Sequence, residues 1–444
     1  MNAEQFRRAG YQAIDRICDY HVTLRDRPVL SQVEPGYFRK VLPSSAPTQG
    51  EDFQLIADDY QNTFEGILAE LYASSTSNPG FNWSVSPAYT KLEAVVMDWI
   101  AQLLGLDESF YNISEVGGGV IQPSASESAL VATVAARSRY IHEHPQVAME
   151  NLVLYTTTQT HSLGKKAGLD DFALRGDTLK VALEEDMNAG FHPFILIGTV
   201  GTTSSGAVDR LDEIADVVSI LRVTKHYPFL WLHVDSAWAG VAFVCPEYRE
   251  AYQLPAINSY VDSFCTSFYK WGPIQFDGSC LWVRHRKHLT DALDVTPVFL
   301  RTKYGNALGL GKRFRSLKFW FVLRARGVKG LQKYISDGIK LNTKFAQSIY
   351  EPELFSVITK PSLAMTVFGL APKSSPQLST PELNILNRAF YARLAARNDI
   401  ALTQTDLNEV FYIRMVIGAE QTLESDVDRA SALMKSEAMV LLKK

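Results

Sequence analysis

The chain has 444 residues, of which 46% are hydrophobic and 21% are charged, and its formal net charge is −4. This length and composition are typical of an ordinary globular protein of two or three domains. The slightly acidic balance indicates no basic surface, so we do not expect a nucleic-acid partner.

Two further features of the sequence bear on the cellular compartment of the protein. No apolar run reaches the length needed to cross a membrane, and the first eight residues lack the apolar core of a signal peptide. The four cysteines show neither CxxC nor zinc-site spacing; they are Cys18, Cys245, Cys265 and Cys280. This usage fits reduced thiols in a protein core. We therefore expect a cytoplasmic protein with no membrane partner and no metal site.

Helical periodicity dominates the first hundred residues. Helices are predicted over 4–21, 53–73 and 89–104. In the last of these, Thr90 and Glu93 fit a capping box, and Gly105 fits the helix stop.

From residue 125 onward, helices alternate with short apolar runs. Helices are predicted at 125–137 and 209–221, and strands at 152–155, 194–200, 229–234, 264–266 and 280–283. Strands that are apolar on both faces are typical of a parallel sheet covered by helices on each side. The expected fold class is therefore α/β with a mostly parallel sheet.

The pattern changes after Leu317. A helix is expected to end near Gly327, followed by short strands at 355–358, 365–370 and 411–416 and helices at 380–397 and 423–442. This mixture predicts a smaller α+β domain. We accordingly divide the chain into an N-terminal helical and extended segment (1–86), a large domain (87–320) and a small C-terminal domain (321–444).

Polar residues follow several predicted strands, at the edge where open α/β sheets bind ligands. A glycine-rich turn with hydroxyl residues, at 117–126, runs into a helix, which fits either an anion site or a plain capped helix. Asp235 follows an apolar run and could be a helix cap, a metal ligand or a charge partner. His161 lies in a loop after another strand, where a lone histidine is usually structural.

Lys270 lies between two aromatic residues, Tyr269 and Trp271, beside a short apolar strand. Partial desolvation would lower the pKa of such an amine and make it a usable nucleophile. The commoner alternative is a lysine whose stem packs on the surface while its ammonium reaches water.

The order of these features is more informative than any one of them. A Gly/Ser turn, a histidine, an aspartate and a lysine on successive strands form the set that pyridoxal phosphate requires. Serines and backbone amides would hold the phosphate, and Asp235 would keep the pyridine nitrogen protonated. Lys270 would form the Schiff base, and His161 could stack on the ring.

Longer motifs resemble the group II pyridoxal-phosphate-dependent amino-acid decarboxylases, specifically the aromatic-L-amino-acid decarboxylases. They extend nearly from end to end, at 80–87, 92–99, 117–127, 201–203, 233–240 and 311–318. The resemblance implies the fold type I architecture of aspartate aminotransferase and an obligate homodimer with its sites at the interface.

The resemblance also assigns roles by position. The residues implied to bind the cofactor are Ala125, Ser126 and Ser267 at the phosphate, Thr203 and Ala237 along the cofactor, His161 on the ring, Asp235 at the pyridinium and Lys270 at the aldehyde. Phe81 would reach into the partner's substrate pocket. The implied reaction decarboxylates an aromatic amino acid, and Tyr304 on a mobile loop would protonate the α-carbon. Gly309 would leave room for an indole, which favours tryptophan over tyrosine or DOPA; alternatively this glycine serves only a tight turn.

The chain departs from the family in three places. A substrate-contacting segment rich in aromatic residues is absent before Asn62, and the loop between Leu300 and Gly311 is shorter than the family's lid. The histidine that normally precedes the lysine is Tyr269, and the usual asparagine two residues earlier is Ser267. Three functions therefore remain open: an amine-forming decarboxylase, an aldehyde synthase that decarboxylates and oxidatively deaminates, and a catalytically impaired homologue that binds the cofactor.

Overall fold

The structure is a computed structural model. It describes residues 2–23, 43–51, 73, 87–157, 172–224, 230–293, 313–350, 354–372, 378–397, 400–420 and 422–442. The helix predicted over 53–73 lies outside these residues except for its last position. Within the described ranges, no helix is both long and apolar enough to span a membrane.

The first 293 residues supply one large sheet and the helices around it. The helices are α1 (Ala3–Val22), α2 (Pro87–Leu104), α3 (Ala125–Glu143), α4 (Gly176–Asn188), α5 (Leu211–Thr224), α6 (Leu254–Tyr260), α7 (Phe268–Trp271) and α8 (Arg286–Leu293). The strands are β1 (Gly118–Gln122), β2 (Leu152–Thr156), β3 (His192–Thr199), β4 (Trp231–Asp235), β5 (Ser263–Ser267) and β6 (Ser279–Val283).

These six strands lie in the order β1-β6-β5-β4-β3-β2. Strands β2 to β5 are parallel, whereas β6 and β1 run antiparallel to their neighbours. Both faces are covered, because Ile195 and Ile197 of β3 pack in the cluster that contains α3, while Leu196 packs in the cluster that contains α2 and α5. The expected α/β class with a mostly parallel sheet is confirmed.

Two local predictions near the start of this sheet are wrong. Helix α2 begins at Pro87, so the position expected for the cap, Thr90, lies inside it, and the Glu93 carboxylate accepts a hydrogen bond from the Ile121 amide at 2.9 Å. The glycine-rich stretch expected to be a turn is strand β1, paired antiparallel with β6. Glycines are poor strand formers, so this strand depends on its neighbours; a Cβ at Gly119 would lie 2.6 Å from Trp282.

A second sheet occupies the C-terminal part of the chain. Its elements are α9 (Arg315–Ile349), β7 (Phe355–Val357), β8 (Met365–Leu370), α10 (Thr380–Ala395), β9 (Thr403–Leu407), β10 (Val410–Val416) and α11 (Glu424–Leu442). The strands are antiparallel in the order β7-β8-β10-β9, and β7, β8 and β10 share a core with all three helices. Edge strand β9 was not predicted, because its sequence is mostly polar and most of its residues are exposed. The three-part division of the chain remains a prediction, and α9 runs across residue 320.

Helix α9 is broken at Gly327, where a helix stop was expected. The backbone there has φ 61° and ψ 176°, a conformation that glycine alone adopts readily. The segment 43–51 crosses the break, and the amides of Val328 and Lys329 donate to the carbonyls of Pro47 and Thr48. The helix therefore continues past Gly327 because another part of the chain satisfies the amides that the break leaves open.

A buried ionic cluster joins the loop after Lys270 to the first turn of α9. Asp277 contacts the Arg315 guanidinium, and its other oxygen accepts from the Lys318 ammonium at 3.2 Å. Lys318 is only 1% exposed and Asp277 is 8% exposed. Burial raises the pKa of Asp277, but the hydrogen bond and charge of Arg315 outweigh it, and the net pKa is lowered. The cluster thus holds charged groups that would otherwise be costly to bury.

We predict that Asp277→Asn lowers the free energy of unfolding by about 3 kcal/mol, because it removes the carboxylate from two buried or nearly buried cations. The matched control is Asp337→Asn, which breaks the exposed Lys333–Asp337 pair (76% and 44% exposed) and should change stability by less than about 0.5 kcal/mol. Urea unfolding of both variants measures the difference. Equal effects of the two substitutions would contradict the role given to Asp277.

Candidate functional site

The carboxyl ends of β3, β4 and β5 meet at one edge of the large sheet. Asp235 is the last residue of β4 and pairs in register with Cys265 of β5, two residues before the end of that strand. The one-turn helix α7, which carries Lys270, follows β5 directly. The parallel arrangement therefore brings the predicted aspartate and the predicted lysine to the same edge.

Only one of the two carboxylate oxygens of Asp235 accepts hydrogen bonds from the described residues. Its Oδ1 accepts a hydrogen bond from the Ala237 amide at 2.9 Å and contacts the Cys265 thiol at 3.7 Å. Its Oδ2 accepts no hydrogen bond from the described residues, and the side chain is partly exposed. One oxygen thus remains available to a ligand that offers a proton.

Lys270 is exposed, while its neighbours Phe268 and Trp271 are buried. The partial desolvation expected from the flanking aromatic residues is therefore not present. The Lys270 and Asp235 charges both act on the Cys265 thiol: burial and Asp235 raise the pKa of that thiol, and Lys270 opposes the rise. Both charges consequently lie within electrostatic reach of one sulfur atom.

Helix α3 begins at the same edge. Its cap is Ser124, whose hydroxyl accepts a hydrogen bond from the Glu127 amide at 3.3 Å. The Ser126 amide donates no hydrogen bond within the described part of the chain. This 19-residue helix therefore presents an open amide and the positive end of its dipole towards the strand ends.

Hydroxyl groups connect the start of α3 to the end of β5. Ser267 donates to Ser279 at 3.1 Å, and Ser279 lies 3.3 Å from the hydroxyl of Ser128 in α3. All three residues are fully buried. A hydroxyl hydrogen rotates to suit its acceptor, so Ser267 can turn the same donor towards an anion at this helix start.

Tyr269, where the sequence departs from the family pattern, lies against the predicted phosphate residues. Burial raises the pKa of its phenol, and contacts with the Ser267 side chain and the Ala125 amide partly offset the rise. Its ring also packs edge-on against Phe276, with centroids 4.9 Å apart. The phenol is therefore a neutral donor beside Ala125 and Ser267, a position that the residue type alone did not reveal.

The remaining predicted residues divide into two groups. Thr203 lies partly exposed in the turn after β3, and Ala237 is buried just after β4. Gly201 (φ +80°) starts the turn after β3, and a Cβ there would lie 2.5 Å from the Cβ of Ala239, so this turn fits closely against the segment after β4. Phe81, His161, Tyr304 and Gly309 lie outside the described residues.

These groups fit pyridoxal phosphate. Open or rotatable donors at the start of α3 and at Ser267 suit a phosphate, and the free oxygen of Asp235 suits a protonated ring nitrogen. The exposed amine of Lys270 suits an aldehyde. Among the described residues, no cluster of three or more histidine, cysteine or acidic side chains could hold a metal ion.

Comparisons with known proteins agree with this chemistry. Residues 59–371 match the model of the pyridoxal-dependent decarboxylase conserved domain. Tryptophan decarboxylase 2 of Oryza sativa subsp. japonica is 36% identical, over 100% of this chain and 96% of its own length. Phenylacetaldehyde synthase of Arabidopsis thaliana is also 36% identical, over 100% and 98%.

A solved structure extends the similarity to three dimensions. The crystal structure of Oryza sativa TDC with PLP and tryptamine superposes with a TM-score of 0.79 at 29% identity and covers 99% of each chain. The protein described here belongs to the family of pyridoxal-dependent decarboxylases and is a carboxy-lyase that uses pyridoxal phosphate as its cofactor.

Proposed function

We propose that this enzyme decarboxylates an aromatic L-amino acid, with tryptophan preferred over tyrosine or DOPA, and releases the aromatic amine and CO₂. The observation that carries the proposal is the meeting of Asp235, Lys270 and the start of α3 at one sheet edge. End-to-end similarity to a tryptophan decarboxylase gives the substrate class. When bound, pyridoxal phosphate supplies an electron sink for the electron pair that remains on the α-carbon after CO₂ departs.

The residues at the sheet edge would bind and orient the cofactor. Lys270 would hold its aldehyde, and Oδ2 of Asp235 would accept a hydrogen bond from its protonated ring nitrogen. Its phosphate would lie at the start of α3, held by the amides of Ala125 and Ser126 and by the hydroxyl of Ser267. In that position the anion gains from the helix dipole as well as from direct hydrogen bonds.

The remaining assignments follow the family. Thr203 and Ala237 would line the cofactor, and His161 would stack on its ring. Tyr304 would deliver a proton to the α-carbon, which commits the reaction to the amine. Phe81 and Gly309 would shape the substrate pocket, where the absence of a side chain at Gly309 leaves space for an indole.

We also propose that the enzyme is a cytoplasmic homodimer, with residues 1–86 contributing to the dimer contact. Helix α1 supports this, because three large apolar side chains on it are exposed: Phe6 (45%), Tyr11 (63%) and Ile14 (52%). Such a face is more often covered by another protein surface than left in water. In the dimer, Phe81 would reach the second copy's pocket.

A second candidate function is aromatic aldehyde synthesis. The phenylacetaldehyde synthase of Arabidopsis thaliana is as similar to this chain as the tryptophan decarboxylase is. Such a reaction consumes O₂ and water together with the amino acid, and it releases aldehyde, CO₂, ammonia and hydrogen peroxide. Retention of His161 and Tyr304 favours the amine, because a proton donor at the α-carbon competes with oxidation there.

We predict that the cofactor-loaded enzyme converts tryptophan to tryptamine with one CO₂ per amine, and converts tyrosine, DOPA and phenylalanine more slowly. Mass spectrometry of amine, aldehyde and CO₂, with a peroxide assay, measures this directly. Aldehyde with ammonia and peroxide would replace the amine-forming proposal with the aldehyde synthase. A loaded enzyme that consumes none of the four substrates would establish the impaired homologue.

We further predict that Tyr304→Phe reduces amine formation at least about a hundredfold, the lower end of what a positioned general acid contributes. Affinity for pyridoxal phosphate should stay within about twofold, because the phenol acts on the substrate carbon. The matched control is Tyr350→Phe. This tyrosine is 68% exposed and follows α9 in the C-terminal part of the chain. Unchanged amine output in Tyr304→Phe would show that another group or water delivers the proton.

A further inference from the structure

A row of polar side chains runs along β4 and β5 beneath the cofactor edge. The two strands are parallel neighbours in which His233 pairs with Ser263 and Asp235 pairs with Cys265. Because side chains alternate along a strand, these residues and Trp231 share one face of the sheet. The sheet register alone therefore places a thiol beside the carboxylate of Asp235.

The row is connected from end to end. The indole nitrogen of Trp231 donates to the Ser263 hydroxyl at 2.7 Å, and that hydroxyl lies 2.7 Å from Nδ1 of His233. Nε2 of His233 lies 3.7 Å from the Cys265 sulfur, which in turn lies 3.7 Å from Oδ1 of Asp235. All members except Asp235 are at most 1% exposed, so water does not compete for these contacts.

The direction of each hydrogen bond follows from what each group can do. A carboxylate only accepts, so the thiol hydrogen is directed to Asp235. The sulfur can then accept from Nε2 of His233, which leaves Nδ1 to accept from Ser263. The oxygen of Ser263 is already an acceptor for Trp231, so its own hydrogen is available for His233. Each donor is matched to one acceptor, and all of them point towards Asp235.

The protonation states of the two central groups allow this arrangement. Burial lowers the pKa of His233 to about 4, so the ring is neutral and carries one N–H at neutral pH. Burial raises the pKa of the Cys265 thiol well above its ordinary value, so the sulfur keeps its hydrogen. A neutral histidine and a protonated thiol are what a chain of donors aimed at a carboxylate requires.

We propose that Cys265 is a positioning residue for the cofactor: its thiol, with the Ala237 amide, holds Oδ1 of Asp235 and leaves Oδ2 to bind the ring nitrogen. The hydrogen-bonded row on the other side of the sulfur orients the thiol; it consists of His233, Ser263 and Trp231. This inference rests on the proposed role of Asp235 and adds a residue that makes no contact with the cofactor in its own right. The alternative is that Cys265 fills space in the core and nothing more.

The test compares two cofactors that differ at one ring atom. Pyridoxal phosphate offers the ring nitrogen to Asp235, whereas its 1-deaza analogue has a C–H at that position. Apoprotein of the full chain is titrated with each cofactor, and the fluorescence of its tryptophans reports binding. The variants are Cys265→Val, which removes the donor at similar volume, Cys265→Ala in case valine prevents folding, and Cys265→Ser, which restores a donor.

Cys280 provides the matched control. It is also a fully buried cysteine, on the adjacent strand β6, but it packs in the other core cluster and has no contact with Asp235. Cys280→Val and Cys280→Ala therefore report what the same substitutions do to packing alone. Urea unfolding of every variant shows whether the fold is retained.

Cys265→Val or Cys265→Ala should weaken pyridoxal phosphate binding about fivefold, the size expected when one weak hydrogen bond to a charged group is lost. Binding of the deaza analogue should change by less than about twofold, and Cys265→Ser should restore affinity for pyridoxal phosphate. Equal losses for the two cofactors, or no loss for either, would overturn the inference while leaving the proposed function in place. Wild-type protein that binds no pyridoxal phosphate would overturn the proposed function and this inference together.

Discussion

The parallel register between β4 and β5 is the constraint on which the rest of the site depends. It sets Asp235 beside Cys265, and it ends β5 so that α7 presents Lys270 at the same edge. A shift of one residue in either strand would turn every side chain on it to the opposite face. The aspartate would then lie in the apolar cluster on the other side of the sheet, and the charge partner proposed for the cofactor would be lost.

The same edge gains a second contribution from helix α3. The hydroxyls of Ser128 and Ser279 link its first turn to Ser267, so the proposed phosphate subsite combines a helix and two strands. Tyr269 completes this corner with a neutral phenol. A family member with histidine there would offer an imidazole that can carry charge, whereas in the site proposed for this chain neutral donors, an amide and a helix dipole would hold the phosphate.

Much of the large sheet and of the candidate site could be predicted from the sequence, because the apolar runs were long and the residues at the strand ends were distinctive. The buried strands β3 to β6 were readable as apolar runs, and Asp235 and Lys270 were found from their places at strand ends. Strand β1 was missed because three glycines at 117–119 are typical of turns, and only pairing with β6 makes Gly118 and Gly119 part of a strand. The capping box failed because α2 already begins at Pro87, before Thr90, and Glu93 bonds across to Ile121, a contact between elements that local spacing cannot show.

Other features depend on three-dimensional pairing alone. The spacing of these residues in the sequence does not indicate that they are hydrogen-bonded to one another: Trp231, His233, Ser263 and Cys265. A long stretch of chain that includes α6 separates their two strands, β4 and β5. The buried Asp277–Lys318 pair is similar: a lysine at 1% exposure is not expected from sequence, and its carboxylate partner lies 41 residues away. Sequence reasoning identifies the groups that contact a ligand more readily than the groups that position them.

We propose that Lys270 holds pyridoxal phosphate at the carboxyl edge of the large sheet. Reduction of the loaded enzyme with borohydride makes the bond between cofactor and lysine permanent, and peptide mass spectrometry then locates it. We expect one pyridoxyl group per chain, on the peptide that contains Lys270, and none in Lys270→Ala. A pyridoxyl group on Lys318 or any other lysine of the native enzyme, or no stable attachment at all, would contradict it.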